Sequence, residues 1–171
     1  MQCNRANQQI RRNPVKNNKT LFLGIYEMIK IMFVCHGNIC RSPMAEFVFK
    51  KLVSDAGREA EFEIASAATD CDELGSDIYP PAKRKLTEKH IPFSRRAATL
   101  LRRADYDEYD RFICMDNENL RHIRRIFPSD PEAKISLLLK TGEVSDPWYT
   151  GDFEEAYQDI LKGCRALLRE L

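Results

Sequence analysis

Ile29-Lys30-Ile31-Met32-Phe33-Val34-Cys35-His36-Gly37-Asn38-Ile39-Cys40-Arg41-Ser42-Pro43 is the stretch on which the fold of this chain turns. Its first part, Ile29 to Val34, is apolar but for Lys30, the pattern of a strand buried on both faces. Beyond the polar loop, Ala45, Val48, Phe49, Leu52, Val53 and Ala56 recur at helical spacing until Gly57 stops them. Strand, loop and helix therefore follow one another directly. The same alternation continues: strands over Phe62 to Ala68, Phe112 to Met115 and Ile135 to Leu139, and helices over Pro81 to His90 and Asp116 to about Phe127. A last helix opens on Asp152 and Glu155, a capping-box-like pair, with Phe153, Ala156, Tyr157, Ile160, Leu161, Cys164, Leu167, Leu168 and Leu171 on one face. Strands alternating with helices predict an α/β domain with a parallel sheet covered on both sides. Ligands of such sheets bind beyond the carboxyl ends of the strands, which directs attention to the loop after the first strand.

A Cys, five residues and an Arg would arise by chance about once in every two chains of this composition, so the spacing itself carries little. Its setting carries more. A loop that leaves a buried strand and enters a helix turns successive backbone N–H groups toward one spot, where an anion is favoured. Gly37 and Asn38 tolerate positive φ, so the backbone can curl round a tetrahedral oxyanion, and Pro43 suits the first helical position. Arg41 offers a planar fork matched to two phosphate oxygens. The same positive field favours the thiolate of Cys35, the nucleophilic form. Ser42 reads equally well as an N-cap and as a hydroxyl donor to that thiolate.

The chain has 171 residues and a net charge of +1, with 43% apolar and 31% charged residues. Those values suit a soluble globular protein and exclude disordered, collagen-like and membrane-spanning classes. Near-neutrality gives no general case for nucleic acid, and neither nucleic acid nor a membrane is expected as a partner. The charge is unevenly spread: Met1 to Glu27 is +4 and the remainder −3. Residues 1–27 are polar and amide-rich, and the apolar run Leu21 to Tyr26 is too short, and lacks a following cleavage site, for a signal peptide. Arg11-Arg12 lacks the apolar run of a twin-Arg signal. The expectation is two pieces: residues 1–27, a basic polar extension that is either disordered or not native, and residues 28–171, a single domain. Six irregularly spaced cysteines without a Cys-x2-Cys pair argue for a reducing cytoplasm and against both a disulfide framework and zinc.

This loop, with Met44, Ala45 and Glu46 after it, resembles the signature of low-molecular-weight protein tyrosine phosphatases. Asp146-Pro147-Trp148-Tyr149, just before the last helix, is similar to the family's second motif, where its general acid lies. The likeness covers about Ile29 to Leu171. It implies a three-layer fold of phosphotyrosine phosphatase I type, with a four-stranded parallel sheet in the order 2-1-3-4 and helices on both faces. It also implies hydrolysis of phosphotyrosine without metal or organic cofactor. Cys35 would form a phosphocysteine, Arg41 and the loop residues His36, Gly37, Asn38, Ile39, Cys40 and Ser42 would hold the phosphate, and Asp146 would serve as acid and then base. Read alone, Asp146 before Pro147 is more commonly a turn former. Trp148 and Tyr149 would wall the substrate ring, although as bare residues they read as core. Cys40 would be a redox partner able to shield Cys35 as a reversible disulfide.

Within that family, a loop that bears an aromatic in some members corresponds here to Cys71-Asp72-Glu73, an acidic wall. Ile39 resembles the phosphotyrosine-directed members, whereas the phosphoarginine-directed branch carries Thr; an apolar side chain suits a phenol better than a guanidinium. Tyrosine-phosphorylated proteins, and a cognate tyrosine kinase as the opposing enzyme, are the implied partners, with the domain a monomer. A protein arginine phosphatase is the alternative. Thiol-dependent arsenate reductases need a further close cysteine pair, and phosphocysteine carriers or idle phosphate-binding modules do without Arg41 or a reactive Cys35. Elsewhere, Cys114 and Cys164 read as core, Cys3 and Cys71 as exposed thiols, and His90 as structural. Arg121, His122, Arg124 and Arg125 read as a solvated helix face, and Tyr106 to Asp110 as an acidic surface turn.

Overall fold

A computed structural model of the protein describes residues 28–171; the expectations for residues 1–27, Cys3 included, lie outside them. The sheet contains β1 (Ile29–Cys35), β2 (Phe62–Ala68), β3 (Arg111–Cys114) and β4 (Ile135–Leu137), all parallel, in the order β2-β1-β3-β4. β1 is central, as its two-faced burial predicts. Ile31, Phe33 and Cys35 point into one core layer and Met32 and Val34 into the other.

The first layer is covered by α1 (Arg41–Asp55), α2 (Pro80–Glu88) and α6 (Phe153–Glu170), with Met44, Val48, Phe49, Leu86 and Ile160 fully buried. The second layer lies under α3 (Asp105–Glu108) and α4 (Asn117–Ile126), where Phe112 packs edge-on against Phe127 at 4.9 Å. A single turn, α5 (Pro147–Thr150), precedes α6. Three layers follow from a sheet whose central strand has no polar face to give to water.

Several local expectations need adjusting. α1 starts at Arg41, so Pro43 occupies the third helical position; its missing N–H is still one of the four a helix start leaves unpaired. Ser42 is inside the helix and is no N-cap. Gly37 does not take positive φ; only Asn38 does, at 57°. β4 ends at Leu137; Leu138 N still donates to Cys114 O at 2.9 Å, and the side chains of Leu138 and Leu139 are buried in the core. Asp152 accepts from Glu155 N at 2.9 Å, but the Glu155 carboxylate accepts from Ser145 Oγ at 3.0 Å, so only half of the capping box forms. The segment read as an acidic surface turn contains α3, and Tyr106 stacks on Phe112 at 6.1 Å while its hydroxyl donates to Asp130 at 2.7 Å.

Candidate active site

Parallel pairing puts the carboxyl ends of β1, β2 and β3 side by side, so the segments leaving them meet. The loop from Cys35 to Arg41 runs around the floor of a cavity of about 290 Å³. Residues 35–41, Asp72, Glu73, Glu118, Asn119, Asp146, Trp148 and Tyr149 line it.

Outside donors turn the loop's carbonyls outward. Thr69 N takes the carbonyl of Cys35, Asp70 N that of His36, Tyr79 N that of Ile39 and Met44 N that of Cys40. The Arg96 guanidinium takes that of Asn38 at 3.2 Å. Among the described residues the amides of Gly37, Ile39 and Cys40 donate to no protein acceptor. The result is a ring of N–H dipoles, the arrangement that suits an oxyanion.

Asn38 locks this ring. Its Oδ1 accepts from Arg96 Nη2 at 2.7 Å and Thr99 N at 3.1 Å, both obligate donors, which fixes the amide's orientation. Its Nδ2 therefore faces two hydroxyls, Ser42 Oγ at 2.8 Å and Ser66 Oγ at 2.9 Å. Ser66 spends its proton on Glu46 Oε2 at 2.6 Å. Ser42, already accepting from Asn38, is left to donate its own proton to Cys35 Sγ, 3.0 Å away. Asn38 N also donates to that sulfur at 3.3 Å. The network is thus polarised so that its last hydrogen reaches Cys35, which selects the hydroxyl-donor reading of Ser42 over the cap.

Arg41, 4% exposed, is held between two carboxylates: Asp116 Oδ2 at 2.5 Å on Nη1 and Asp146 Oδ2 at 2.6 Å on Nη2. Burial works against its charge, yet the nearby Cys35, Asp146 and Asp116 charges outweigh it and move the guanidinium further up. Asp116 also caps α4, accepting from Asn119 N at 2.6 Å, and Asp146 caps α5, accepting from Trp148 N at 3.0 Å. Trp148 and Tyr149 stand at the mouth, 55% and 84% exposed, rather than in the core. Tyr79 supports the Trp148 ring at 5.4 Å.

Cys40 is buried in the same loop, and burial, then the Cys35 and Asp146 charges, push its thiol up to about 12. Cys114 and Cys164 are buried in opposite core layers, and burial raises both thiols. Cys71 is exposed. His36 meets Asp72 at 3.3 Å, and together with the half-buried Asp70 they bring three potential metal-ligand atoms within 4.8 Å of one another beside the mouth. Gly37 lies close under Glu73: a Cβ there would come within 3.1 Å of Glu73 Cγ, so that side chain would have to shift. The solvated face expected on α4 holds for Arg121, Arg124 and Arg125, whereas His122 turns toward the His36 ring at 6.3 Å.

The structure thus brings together the sequence-derived residues Cys35 to Ser42, Asp146, Trp148 and Tyr149. Sequence reasoning missed the Asp116 contact to Arg41, the Glu46–Ser66–Asn38–Arg96–Thr99 network, and Glu118 and Asn119 on the lining. The Asp116 contact had a signal: Asp116 follows β3, and with β3 beside β1 its side chain had to lie near the loop.

A doubly wound parallel sheet carrying a cysteine and an arginine on one phosphate-type loop defines a class of cysteine-based phosphoryl-transfer folds. The family model for low molecular weight phosphotyrosine protein phosphatase matches residues 30–171, and the chain belongs to that family. It is 39% identical over 155 residues to the low molecular weight phosphotyrosine protein phosphatase of Gallus gallus, covering 84% of this chain and 96% of that protein. The crystal structure of YfkJ from Bacillus subtilis superposes with a TM-score of 0.79 at 35% identity, covering 84% of this chain and 94% of the other. That of SP-PTP, a low molecular weight protein tyrosine phosphatase from Streptococcus pyogenes, gives 0.78 at 39% identity, covering 84% and 93%.

Proposed function

We propose that the chain hydrolyses phosphotyrosine in proteins through a phosphocysteine. The observation that carries this is the convergence of Cys35 Sγ, the Arg41 fork and the Asp146 carboxylate on one cavity, with Asp146 2.6 Å from the guanidinium. The phosphoryl group enters the ring of loop amides, where Arg41 and the amides take its equatorial oxygens. A guanidinium fork that binds phosphate oxygens gives up one of its carboxylates, and Asp146, the more exposed of the two, is the one released. Cys35 Sγ forms its bond to phosphorus as the phosphorus–oxygen bond to the phenol breaks, and Asp146 gives that oxygen its proton. Asp146 then takes a proton from the water that attacks the phosphocysteine. The Ser42 hydroxyl and Asn38 N–H steady the departing thiolate, and inorganic phosphate leaves.

Ile39, Trp148 and Tyr149 suit a flat phenol. Among the described residues Cys114 and Cys164 are in separate core layers and do not form the close cysteine pair that the rival arsenate chemistry uses. Five free thiols among the described residues support a reducing cytoplasm. No described helix is long and apolar enough to cross a membrane. Cys40 is the proposed redox partner of Cys35: a peroxide oxidant converts the Cys35 thiolate to a sulfenic acid, and the Cys40 sulfur displaces its oxygen as water to close the disulfide.

The test is turnover of phosphotyrosine and phosphoarginine peptides, and reduction of arsenate, by wild type, Cys35→Ser and Asp146→Asn. Phosphotyrosine is expected to be the preferred substrate and Cys35→Ser to be inactive. Asp146→Asn should lose about 100-fold or more on phosphotyrosine and far less on aryl phosphates with good leaving groups. Equal losses on both would move the acid elsewhere, and absence of turnover by wild type would refute the reading.

A further inference from the structure

Anion-binding sites usually gather positive charge, yet the mouth of this one is acidic. Asp72, Glu73 and Glu118 line the cavity outside Arg41 and the loop amides. Asp72 has His36 as a neighbour at 3.3 Å. Among the described residues, Glu73 and Glu118 have no Lys, Arg or His within ion-pair distance and no side-chain hydrogen bond. Arg41, the one arginine of the lining, already serves Asp116 and Asp146. Glu118 has a partial structural reason, since an acid in the first turn of α4 favours the helix dipole. Glu73 has none of that kind: its methylenes pass over Gly37 and its carboxylate is left at the rim.

An independent observation points the same way. Asn119, 1% exposed, lines the same cavity next to Glu118, and its Oδ1 has no hydrogen-bond partner. Burying an acceptor without a donor is costly; the oxygen faces away from the cavity, and rotation about the last side-chain torsion would exchange it with the amide nitrogen and offer it to an entering donor. The two unpaired carboxylates accept and carry negative charge, and the Asn119 amide, once turned, adds a further acceptor. A dianionic phosphoryl group crossing this rim is repelled by it unless the substrate brings compensating positive charge.

Resting on the phosphotyrosine reading above, we propose that the rim selects phosphotyrosines flanked by lysine or arginine, with Glu73 and Glu118 as the residues that read the flanking cation. A Lys or Arg near the phosphotyrosine carries its charge on a long flexible stem, and Glu73 and Glu118 line the same cavity that the ring enters. The partner class is therefore basic segments of phosphoproteins, and acidic flanks are rejected by like charge.

The experiment compares kcat/KM for two phosphotyrosine peptides that differ only in carrying Lys and Arg or Glu at the flanking positions, with p-nitrophenyl phosphate as control. Wild type should prefer the basic peptide by ~10-fold at low salt, and the preference should shrink in ~0.5 M salt. Glu73→Gln should reduce the ratio by ~3-fold, and Glu73→Gln with Glu118→Gln should bring it close to one. Because the readout is a ratio, partial loss of active protein does not move it. No preference in wild type, or the same preference in the double variant, overturns the proposal. A phosphoarginine peptide with neutral flanks outrunning both tyrosine peptides overturns it too, by putting the cation on the phosphorylated side chain. Turnover of p-nitrophenyl phosphate without flank preference sinks the rim assignment alone; no turnover of it sinks the phosphatase reading as well.

Discussion

Asn38→Ala removes the side chain on which the loop's shape depends. Four hydrogen bonds disappear, to Ser42, Ser66, Arg96 and Thr99, at a site 1% exposed. Each is worth about 1 kcal/mol net, and the Arg96 and Thr99 donors are left without that acceptor. Ala at φ 57° adds about 1 kcal/mol of backbone strain, which Asn tolerates better. Water entering the vacated space recovers part of this, leaving an expected loss of about 3–4 kcal/mol. For a domain of this size each kcal/mol lowers Tm by roughly 3 °C, so the melting point should fall by about 10 °C. Asn38→Asp separates shape from chemistry. It keeps the backbone tolerance and the acceptor for Arg96 and Thr99, so its stability loss should be about half as large. It cannot donate to Ser42, however, so the Ser42 hydroxyl turns to the new carboxylate and away from Cys35 Sγ, and a negative charge stands beside the phosphate. Its kcat on p-nitrophenyl phosphate should fall by at least about 100-fold, measured below the melting transition with Tm taken by circular dichroism. Asn38→Asp retaining kcat within about threefold of wild type, or Asn38→Ala losing under about 1 kcal/mol, would falsify the keystone argument.

Alkylation near pH 7 followed by peptide mass spectrometry should label Cys35 and the exposed Cys71 and leave Cys40 unmodified, because burial and its anionic neighbours push the Cys40 thiol up to about 12; rapid labelling of Cys40 would contradict that environment. Asp77 is held down to about 2, first by Lys83 Nζ at 2.6 Å and then by Ile78 N at 2.7 Å. A carboxyl depressed in the folded state stabilises fully above the unfolded range near ~4 and loses that contribution as pH falls through the folded value. Urea midpoints of wild type and Asp77→Asn should therefore differ at pH 7 and converge between pH ~4 and ~2; a constant gap would rule the linkage out.

The fold was legible because its evidence is local. A six-residue apolar run, a helical period ended by Gly57 and a cap at Asp116 each need only neighbouring residues, and each maps onto an observed element. Where local signals failed, a distant partner decided. Tyr106 sits among acids that read as a turn, but its ring finds Phe112 and Phe127 on the far side of the layer. Leu138 and Leu139 continue an apolar run and are buried in the core, yet pairing with β3 runs out after the Leu138 N–H, a limit that the short partner strand sets and the local pattern does not show. The candidate site divides in the same way. Cys35 to Ser42 is contiguous and could be read as one loop, and Asp146 came from the likeness of Asp146-Pro147-Trp148-Tyr149 to the family's second motif. Glu46, Ser66, Arg96 and Thr99 come from four separate segments, and no spacing rule joins them before the sheet order is known.

Arg41 shows what that convergence adds. Its two carboxylates look redundant until their anchoring is compared. Asp116 spends one oxygen on the N-terminus of α4, a ten-residue helix packed on the sheet through the fully buried Ile123, and its side chain is only 13% exposed. Asp146 caps a single turn that ends at Gly151 in the left-handed region, beside exposed Trp148 and Tyr149, and its side chain is 25% exposed. Breaking the first pair disturbs a helix start; breaking the second disturbs one turn at the surface. The asymmetry supports the roles proposed above, with Asp116 keeping the guanidinium aimed at the loop and Asp146 exchanging Arg41 for the leaving oxygen. Swapping the substitutions tests the assignment, since Asp116→Asn should raise KM for aryl phosphates with good and poor leaving groups alike. Asp146→Asn should instead lower kcat in proportion to how poorly the group leaves.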